Sequence, residues 1–254
     1  NTMETELRKI VLNRTLMRKL VYSVNAAVTV DIPREIRENR LETNNRIKLS
    51  YGDYINENLR NHVVDGEKVE LISFTRYAWD GRILVDRENK VTYTICTELT
   101  LKAVARKHGT SPHYLKSILF VENHEYEGTP KQISLADVYP SFILYTQDDI
   151  EEDYDAIMQG KIDKLDGYTH YVIAYSVEKS SIRSIRLVLL DKDIAEVETV
   201  SLMEFIEPDF VALTQSDFNA ETDVTEEEQP AEKSSLVKVR PGFKPSVRAM
   251  EDKA

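Results

Sequence analysis

The residues with the clearest chemistry in this sequence are arginines and lysines spaced along predicted helices. Pro33 can open a short helix, in which Arg34, Arg37 and Arg40 recur every three residues and share one side. Guanidinium groups bind phosphate oxygens through paired hydrogen bonds. We therefore expect this helix to form part of a basic face that contacts nucleic acid.

Motifs for several other chemistries are incomplete. The eight glycines are too widely spaced for a phosphate-binding loop or for the G-x-S-x-G turn of a nucleophilic serine. His124 and Glu125 begin a zinc-binding H-E-x-x-H pattern, but Gly128 occupies the position of its second histidine. The alternating acids from Asp149 to Asp155 lack the glycine that a calcium loop needs. These motifs therefore predict no metal site and no cofactor.

Residues 101–119 contain a helix, a tight turn and a second helix. Ala105 is small enough for two helices to cross, Gly109 follows in the turn, and Leu115 and Ile118 are expected to face inward. This stretch resembles the helix-turn-helix of bacterial DNA-binding proteins. The resemblance implies major-groove contacts by Pro112, His113, Tyr114 and Lys116, and phosphate contacts by Lys102, Arg106 and Lys107. An ordinary helix-loop-helix packed on a sheet is the competing interpretation.

The predicted order of elements, a helix, three antiparallel strands, a helix and a strand, resembles the core of restriction-endonuclease-like nucleases. That resemblance implies an acid on the second strand and an acid-x-Lys group on the third, which hold a divalent metal such as Mg²⁺ and support an attacking water. The candidates are Asp80, Asp86, Glu88 and Lys90. Because Glu88 falls in the predicted turn before the third strand, a solvated turn is the competing interpretation.

Composition favours a globular protein with an uneven distribution of charge. The 254 residues are 41% hydrophobic and carry a net charge of −11, which excludes a protein that is basic throughout. Residues 1–48 contain 10 basic and 6 acidic residues, whereas residues 111–235 contain 9 basic and 27 acidic ones. A basic working face with an acidic back explains this polarity, and so does a solvated acidic surface. With one cysteine, Cys96, and no apolar run long enough to span a membrane, we expect a cytoplasmic protein without membrane contact.

Hydrophobic periodicity predicts the elements that position these residues. Helical spacing indicates helices over 3–25, 46–63, 98–107, 112–121 and about 148–160, with Ser111 as the N-cap of the fourth. Strand patterns cover 68–77, 82–86, 90–96, 169–177, 182–190 and 195–200, and Asp80-Gly81 is expected to form a turn. The sequence therefore predicts a single α+β domain over 1–214, with an antiparallel sheet of roughly six strands in two blocks and helices packed on it.

The C-terminal residues differ in composition from the rest of the chain. Residues 217–232 contain seven acids and no basic residue, so 215–235 are predicted to be a disordered linker. Residues 236–254 form a basic tail in which apolar and basic side chains alternate around two prolines, which favours docking on a protein partner. The candidate contacts are Val237, Val239, Arg240 and Phe243. A frayed terminus without a role is the alternative.

Four stretches carry a resemblance that extends over the whole chain: residues 76–81, 112–123, 167–171 and 236–245. They resemble an uncharacterised domain family of gut Firmicutes. The resemblance implies a bacterial cytosolic protein that forms one unit with its tail, and it implies no particular activity.

The sequence as a whole favours a non-enzymatic interaction protein that contacts nucleic acid through its basic residues and a protein partner through its tail. A metal-dependent nuclease is the alternative, and an interaction module without nucleic acid is a third interpretation. The nuclease needs its acids within a few ångströms of one another, whereas the nucleic-acid-binding protein needs its basic residues on one face.

Overall fold

A central β-sheet lies between two layers of helices in the part of the chain that the structure describes. The structure is a computed structural model, and it describes residues 10, 12–39, 42–43, 45–76, 79–106, 111–128 and 145–206. The predicted linker 215–235 and the predicted tail 236–254 lie outside these residues.

Helices and strands alternate in blocks along the described residues. The α-helices are α1 Arg14–Ala26, α2 Ile32–Asn39, α3 Ile47–His62, α4 Glu98–Arg106, α5 Tyr114–Glu122 and α6 Gln147–Met158. The strands are β1 Val69–Arg76, β2 Trp79–Asp86, β3 Val91–Thr97, β4 Thr169–Glu178, β5 Ser181–Leu190 and β6 Glu196–Ser201. A π-helical turn, Ala27–Asp31, joins α1 to α2, and a 3₁₀ turn, Met203–Phe205, follows β6.

The six strands form one mixed sheet, in which strand order follows chain order from β1 to β6. All neighbouring strands are antiparallel except β3 and β4, which run parallel with Val91 opposite Thr169 and Thr97 opposite Tyr175. The long connection through α4, α5 and α6 allows this parallel pairing, because a chain needs a crossover to return to the same edge of the sheet. The predicted α+β class and the six strands in two blocks are confirmed, and the junction between the two blocks is parallel.

Alternating side chains give the sheet two buried faces. Along β4, Tyr171, Ile173 and Tyr175 pack in a core with α1, the π-helical turn and α3. Val172 and Ala174 point to the opposite face and pack with α4, α5 and α6. Successive residues of a strand point to opposite sides, so a strand buried on both faces is apolar along most of its length. The sheet therefore separates two hydrophobic cores, and each core lies between one face of the sheet and one layer of helices.

The start of β2 differs from the sequence prediction. Asp80 and Gly81 lie inside β2, opposite Thr75 and Phe74 of β1, whereas they were expected to form a turn. The Phe74 ring occupies the place where a Cβ on Gly81 would lie. Glycine at this position is therefore required by the packing of an aromatic ring across the strand pair, and not by a bend of the chain.

The start of α5 also differs from the prediction. His113, and not Ser111, is the N-cap residue, because its Nδ1 accepts a hydrogen bond of 3.2 Å from the backbone N–H of Leu115. A side-chain acceptor at this position satisfies a helical N–H that has no partner in the first turn. Among the described helices, none has the length and the apolar composition needed to cross a membrane.

Candidate functional site

A large groove opens at the edge of the sheet where β3 and β4 end. Because these strands are parallel, their carboxyl ends lie side by side, and the chain turns away there into α4 and into the β4–β5 turn. In open α/β sheets, ligands commonly bind outside the carboxyl ends of the strands. The cavity measures about 1180 Å³. We call it the strand-end groove, and its main lining residues are Lys48, Arg76, Trp79, Thr97, Lys116 and Lys179.

Two helices begin at the strand-end groove with capped N-termini. The Thr97 hydroxyl accepts a 3.0 Å hydrogen bond from the N–H of Thr100 at the start of α4. His113 caps α5 in the same way, and both caps are part of the groove lining. The N-terminal end of a helix carries a partial positive charge. The backbone of these two helices therefore adds to any positive potential that the side chains produce.

The charged side chains of the groove are mainly cationic. Lys48, Lys116 and Lys179, which we call the groove lysines, line it together with Arg76, while Glu98 is the single acidic residue among the described residues of the lining. None of the salt bridges between described residues involves the groove lysines. The groove therefore concentrates positive charge in a chain whose net charge is −11.

Two of the charged groups in the lining have partners that fix their positions. Glu98 accepts hydrogen bonds of 2.6 and 2.9 Å from Arg186, which also pairs with Glu196 at 2.9 Å. Arg76 donates to the carbonyl oxygen of Pro112 at 2.9 Å and forms a 3.1 Å salt bridge with Asp153 of α6. Arg76 therefore holds the start of α5 in place, and the groove lysines supply the charge that a ligand can meet.

An aromatic cluster forms one wall of the groove. Trp79 is the only tryptophan of the chain and is 49% exposed. Its ring stacks on Tyr114, with centroids 5.2 Å apart and planes at 29°, and Phe74 packs edge-on against it at 5.7 Å. The His113 ring also packs against Tyr114, with ring centroids 4.4 Å apart. Neighbouring rings thus hold a half-exposed indole in a fixed orientation beside the groove lysines.

The cysteine of the groove is a poor nucleophile. Cys96 belongs to the lining, at the end of β3. Burial raises the pKa of its thiol to about 12, and the nearby carboxylate of Glu98 acts in the same direction. Because the thiolate is the reactive form, Cys96 stays protonated and unreactive near neutral pH.

The described basic residues that were singled out from the sequence lie on both sides of the sheet and do not share one face. His113 and Lys116 lie in the groove, and Lys102 is exposed on α4 in the same helical layer. Arg34 and Arg37 lie on α2, which packs with the π-helical turn and α3 next to the opposite face of the sheet. Arg34 forms a 2.7 Å salt bridge with Asp31. Arg40, Lys107 and the side chain of Arg106 lie outside the described part.

The N-terminal end of the expected major-groove helix is packed against the sheet. α5 buries Tyr114, Leu115 and Ile118 against the sheet, and Pro112 before it is buried as well. A recognition helix must expose the side chains at its N-terminal end to reach base edges. The prediction that Pro112 and Tyr114 face the major groove is therefore wrong, because the helix is packed on a sheet through these same residues.

The four residues of the nuclease alternative do not converge. Asp80 and Asp86 lie at opposite ends of β2, roughly 20 Å apart at about 3.3 Å per residue. Asp86 bonds to Asn89 at 2.7 Å, Glu88 pairs with Lys68 at 3.1 Å, and Lys90 donates to a backbone carbonyl at 2.8 Å. In the ranges that the structure describes, no group of three or more His, Cys, Asp or Glu residues is arranged to hold a metal ion.

Sequence reasoning missed a polar cluster in the core between the sheet and α5–α6. The Glu122 carboxyl accepts a 3.0 Å hydrogen bond from the Tyr154 hydroxyl and shares a short one with the Thr92 hydroxyl. His170 bridges Thr92, 2.7 Å from its Nδ1, and Thr94, 2.9 Å from its Nε2. All five residues are buried. Single polar residues in apolar strands carry no signal that pairs them, since the pairing depends on long-range contacts.

Burial determines the charge state of this cluster. It raises the pKa of Glu122 to about 7 and lowers the pKa of His170 to about 3, since each charged form loses its hydration. With a proton on Glu122, the hydrogen bonds run in one direction: Glu122 donates to Thr92, Thr92 to Nδ1 of His170, and Nε2 to Thr94. Every member is then neutral and has a partner, which is the condition for a stable buried network.

These features define an α+β protein built on one mixed sheet, with a basic and aromatic groove at the carboxyl ends of its parallel strands. The chain belongs to a family of unknown function, DUF5986, whose model matches residues 9–253. This membership confirms the predicted relation to an uncharacterised domain family. Comparison with curated proteins and with solved structures returns no match.

Proposed function

We propose that this protein is an interaction protein that binds an anionic ligand in the strand-end groove. The observation that carries the proposal is the charge of the lining, where the three groove lysines form no salt bridge with a described residue and the single carboxylate among the described lining residues, Glu98, is paired with Arg186. The N-termini of α4 and α5 add to the positive potential. A nucleic acid is the anionic ligand that the sequence favoured, and the groove offers it Lys116 and His113 from the predicted set.

Retention on a sulfated polyanion matrix, heparin-agarose, tests the charge of the groove. The wild-type protein should bind at low salt in spite of its net charge of −11, because the groove concentrates positive potential. The variant K48Q/K116Q/K179Q should elute at clearly lower salt than the wild type.

A matched control separates the groove from total charge. Lys19, Lys161 and Lys192 are exposed and are not part of the groove lining. The variant K19Q/K161Q/K192Q removes the same charge and should elute as the wild type does. Equal shifts for both triple variants, or a wild-type protein that flows through at low salt, would contradict the proposal.

The sequence also predicted a partner contact through Val237, Val239, Arg240 and Phe243, and a cytoplasmic location. The tail residues lie outside the described part of the chain. Both statements stay predictions.

A further inference from the structure

The indole of Trp79 is half-exposed in the wall of the strand-end groove. A large aromatic ring at the surface leaves apolar area in contact with water unless a ligand covers it. Tyr114 and Phe74 fix the ring, so little conformational entropy is lost when something stacks on it. Leu49 and Leu99, which also belong to the groove lining, are exposed as well. The groove therefore offers flat apolar surface next to cationic side chains.

The size of the groove favours an extended ligand. Its 1180 Å³ exceed the roughly 300–1,000 Å³ of most pockets for small molecules. The groove lysines come from three separate elements, since Lys48 is on α3, Lys116 on α5 and Lys179 in the β4–β5 turn. A chain of phosphates can meet several of these positions, whereas a single small anion would meet only a part of them.

The same geometry favours a single strand over a duplex. In a duplex, each base face is covered by neighbouring base pairs and cannot stack on a protein ring. Proteins that bind single strands combine a cationic groove with aromatic rings on which bases stack. The other way to engage a duplex, a helix placed in the major groove, does not suit α5, because Pro112 and Tyr114 at its start are buried and cannot reach base edges.

We infer that the strand-end groove binds single-stranded nucleic acid, with one base stacked on Trp79 and the phosphates along the groove lysines. This inference rests on the proposed function, since an anionic ligand must first enter the groove. It adds the ligand class and the residue that recognises a base.

A comparison of three 12-nucleotide probes tests the inference: a mixed-sequence single strand, the same sequence as a duplex, and an abasic strand with an unchanged sugar–phosphate backbone. Affinities are measured by fluorescence anisotropy of labelled probes, and the intrinsic fluorescence of Trp79 is followed in parallel with unlabelled ones. Because Trp79 is the only tryptophan, a change in its emission reports on this site alone. The intact single strand should quench Trp79 and bind at least about fivefold more tightly than the abasic strand.

Substitutions at Trp79 separate stacking from charge. W79L should lose at least about fivefold in affinity for the intact strand and leave affinity for the abasic strand unchanged. W79F keeps an aromatic ring and should retain most of the difference. Y22L is the matched control, because Tyr22 is 46% exposed on α1, in the helical layer on the opposite face of the sheet. It should bind all three probes as the wild type does.

The outcomes distinguish the inference from the proposed function. Equal affinity for intact and abasic strands, unchanged Trp79 emission, or tighter binding of the duplex would overturn the inference. If heparin retention still depended on the groove lysines, the proposed function would stand with a different anionic ligand. If the wild type bound neither heparin nor any probe, both the proposed function and the inference would be wrong.

Discussion

Replacing Glu122 by glutamine should change how the free energy of unfolding depends on pH. Burial raises the pKa of Glu122 from an ordinary value of 4.5 to about 7, although the hydrogen bonds that Thr92 and Tyr154 donate to its ionised form oppose the rise. The unfolded chain loses this proton above pH 4.5, whereas the folded chain keeps it up to about pH 7. The contribution of Glu122 to stability is therefore fully present below pH 4.5 and is lost as the pH rises through 7.

The size of the effect follows from the difference between the two pKa values. Each pKa unit corresponds to about 1.4 kcal/mol, so the full contribution of Glu122 is about 3 kcal/mol, of which about 2 kcal/mol is lost between pH 5 and pH 7. His170 acts in the opposite direction. Burial lowers its pKa from 6.5 to about 3, so its contribution is present above pH 6.5 and is lost as the pH falls through 3. Between pH 4.5 and 6.5 the two slopes oppose each other in the wild type.

Urea unfolding of the wild type and E122Q at pH 5, 6, 7 and 8 measures the difference. Glutamine is uncharged and can donate to Thr92 as protonated Glu122 does, so the variant keeps the hydrogen bonds of the network. The free energy of unfolding of E122Q minus that of the wild type should rise by about 2 kcal/mol from pH 5 to pH 7, whatever the value of this difference at pH 5. E125Q is the control for removing a carboxylate near the end of α5, since its side chain is 83% exposed. A change below about 0.5 kcal/mol for E122Q, or an equal one for E125Q, would refute a buried and protonated Glu122.

Three further outcomes are expected. G81A should lower the free energy of unfolding in urea by about 1–3 kcal/mol, because the new methyl group collides with the Phe74 ring, and adding F74L should restore part of the stability. N123A should cost at least about 2 kcal/mol in the same assay, because the Asn123 amide bonds the backbone N–H and C=O of His170 and the C=O of Leu190. In titrations with the intact single strand, K48Q/K116Q/K179Q should show a slope of log affinity against log salt that is smaller by about 2 than that of the wild type. Each phosphate that no longer contacts a lysine accounts for about 0.7 of this change. An unchanged slope would contradict phosphate binding by the groove lysines.

Local patterns were sufficient to predict most of the elements. The helix predicted over 46–63 is α3, Ile47–His62, and the strand predicted over 182–190 is β5, Ser181–Leu190. These segments have apolar residues at helical spacing or are rich in Ile, Leu and Val, so local preference and tertiary packing agree. The prediction failed at Asp80-Gly81, where a dipeptide typical of turns lies within β2. The reason for glycine there is a ring on the neighbouring strand, which no local pattern reveals.

The candidate site was harder to predict, because it depends on pairs of residues far apart in the chain. Lys116 and His113 were singled out from the sequence, but as residues that read a duplex. Nothing in the sequence singled out the other site residues, because none of them belongs to a recognisable motif. These residues are Trp79, Lys48 and Lys179. They meet only because β3 and β4 pair in parallel, which brings two strand ends and the starts of several helices to one edge. Strand order therefore had to be known before the groove was visible.

The two features that the structure adds, the strand-end groove and the buried polar cluster, are joined by α5. The first turn of this helix lines the groove, and its last residue, Glu122, belongs to the buried cluster. Between them, Ser117 donates to Asp153 of α6 at 2.5 Å, and Asp153 also pairs with Arg76 in the groove wall. A helix held at its start, middle and end has little freedom to move when a ligand binds. We therefore expect α5 and the aromatic wall that rests on it to be in place before binding. The conformational entropy lost on binding then comes mainly from the groove lysines and from the ligand.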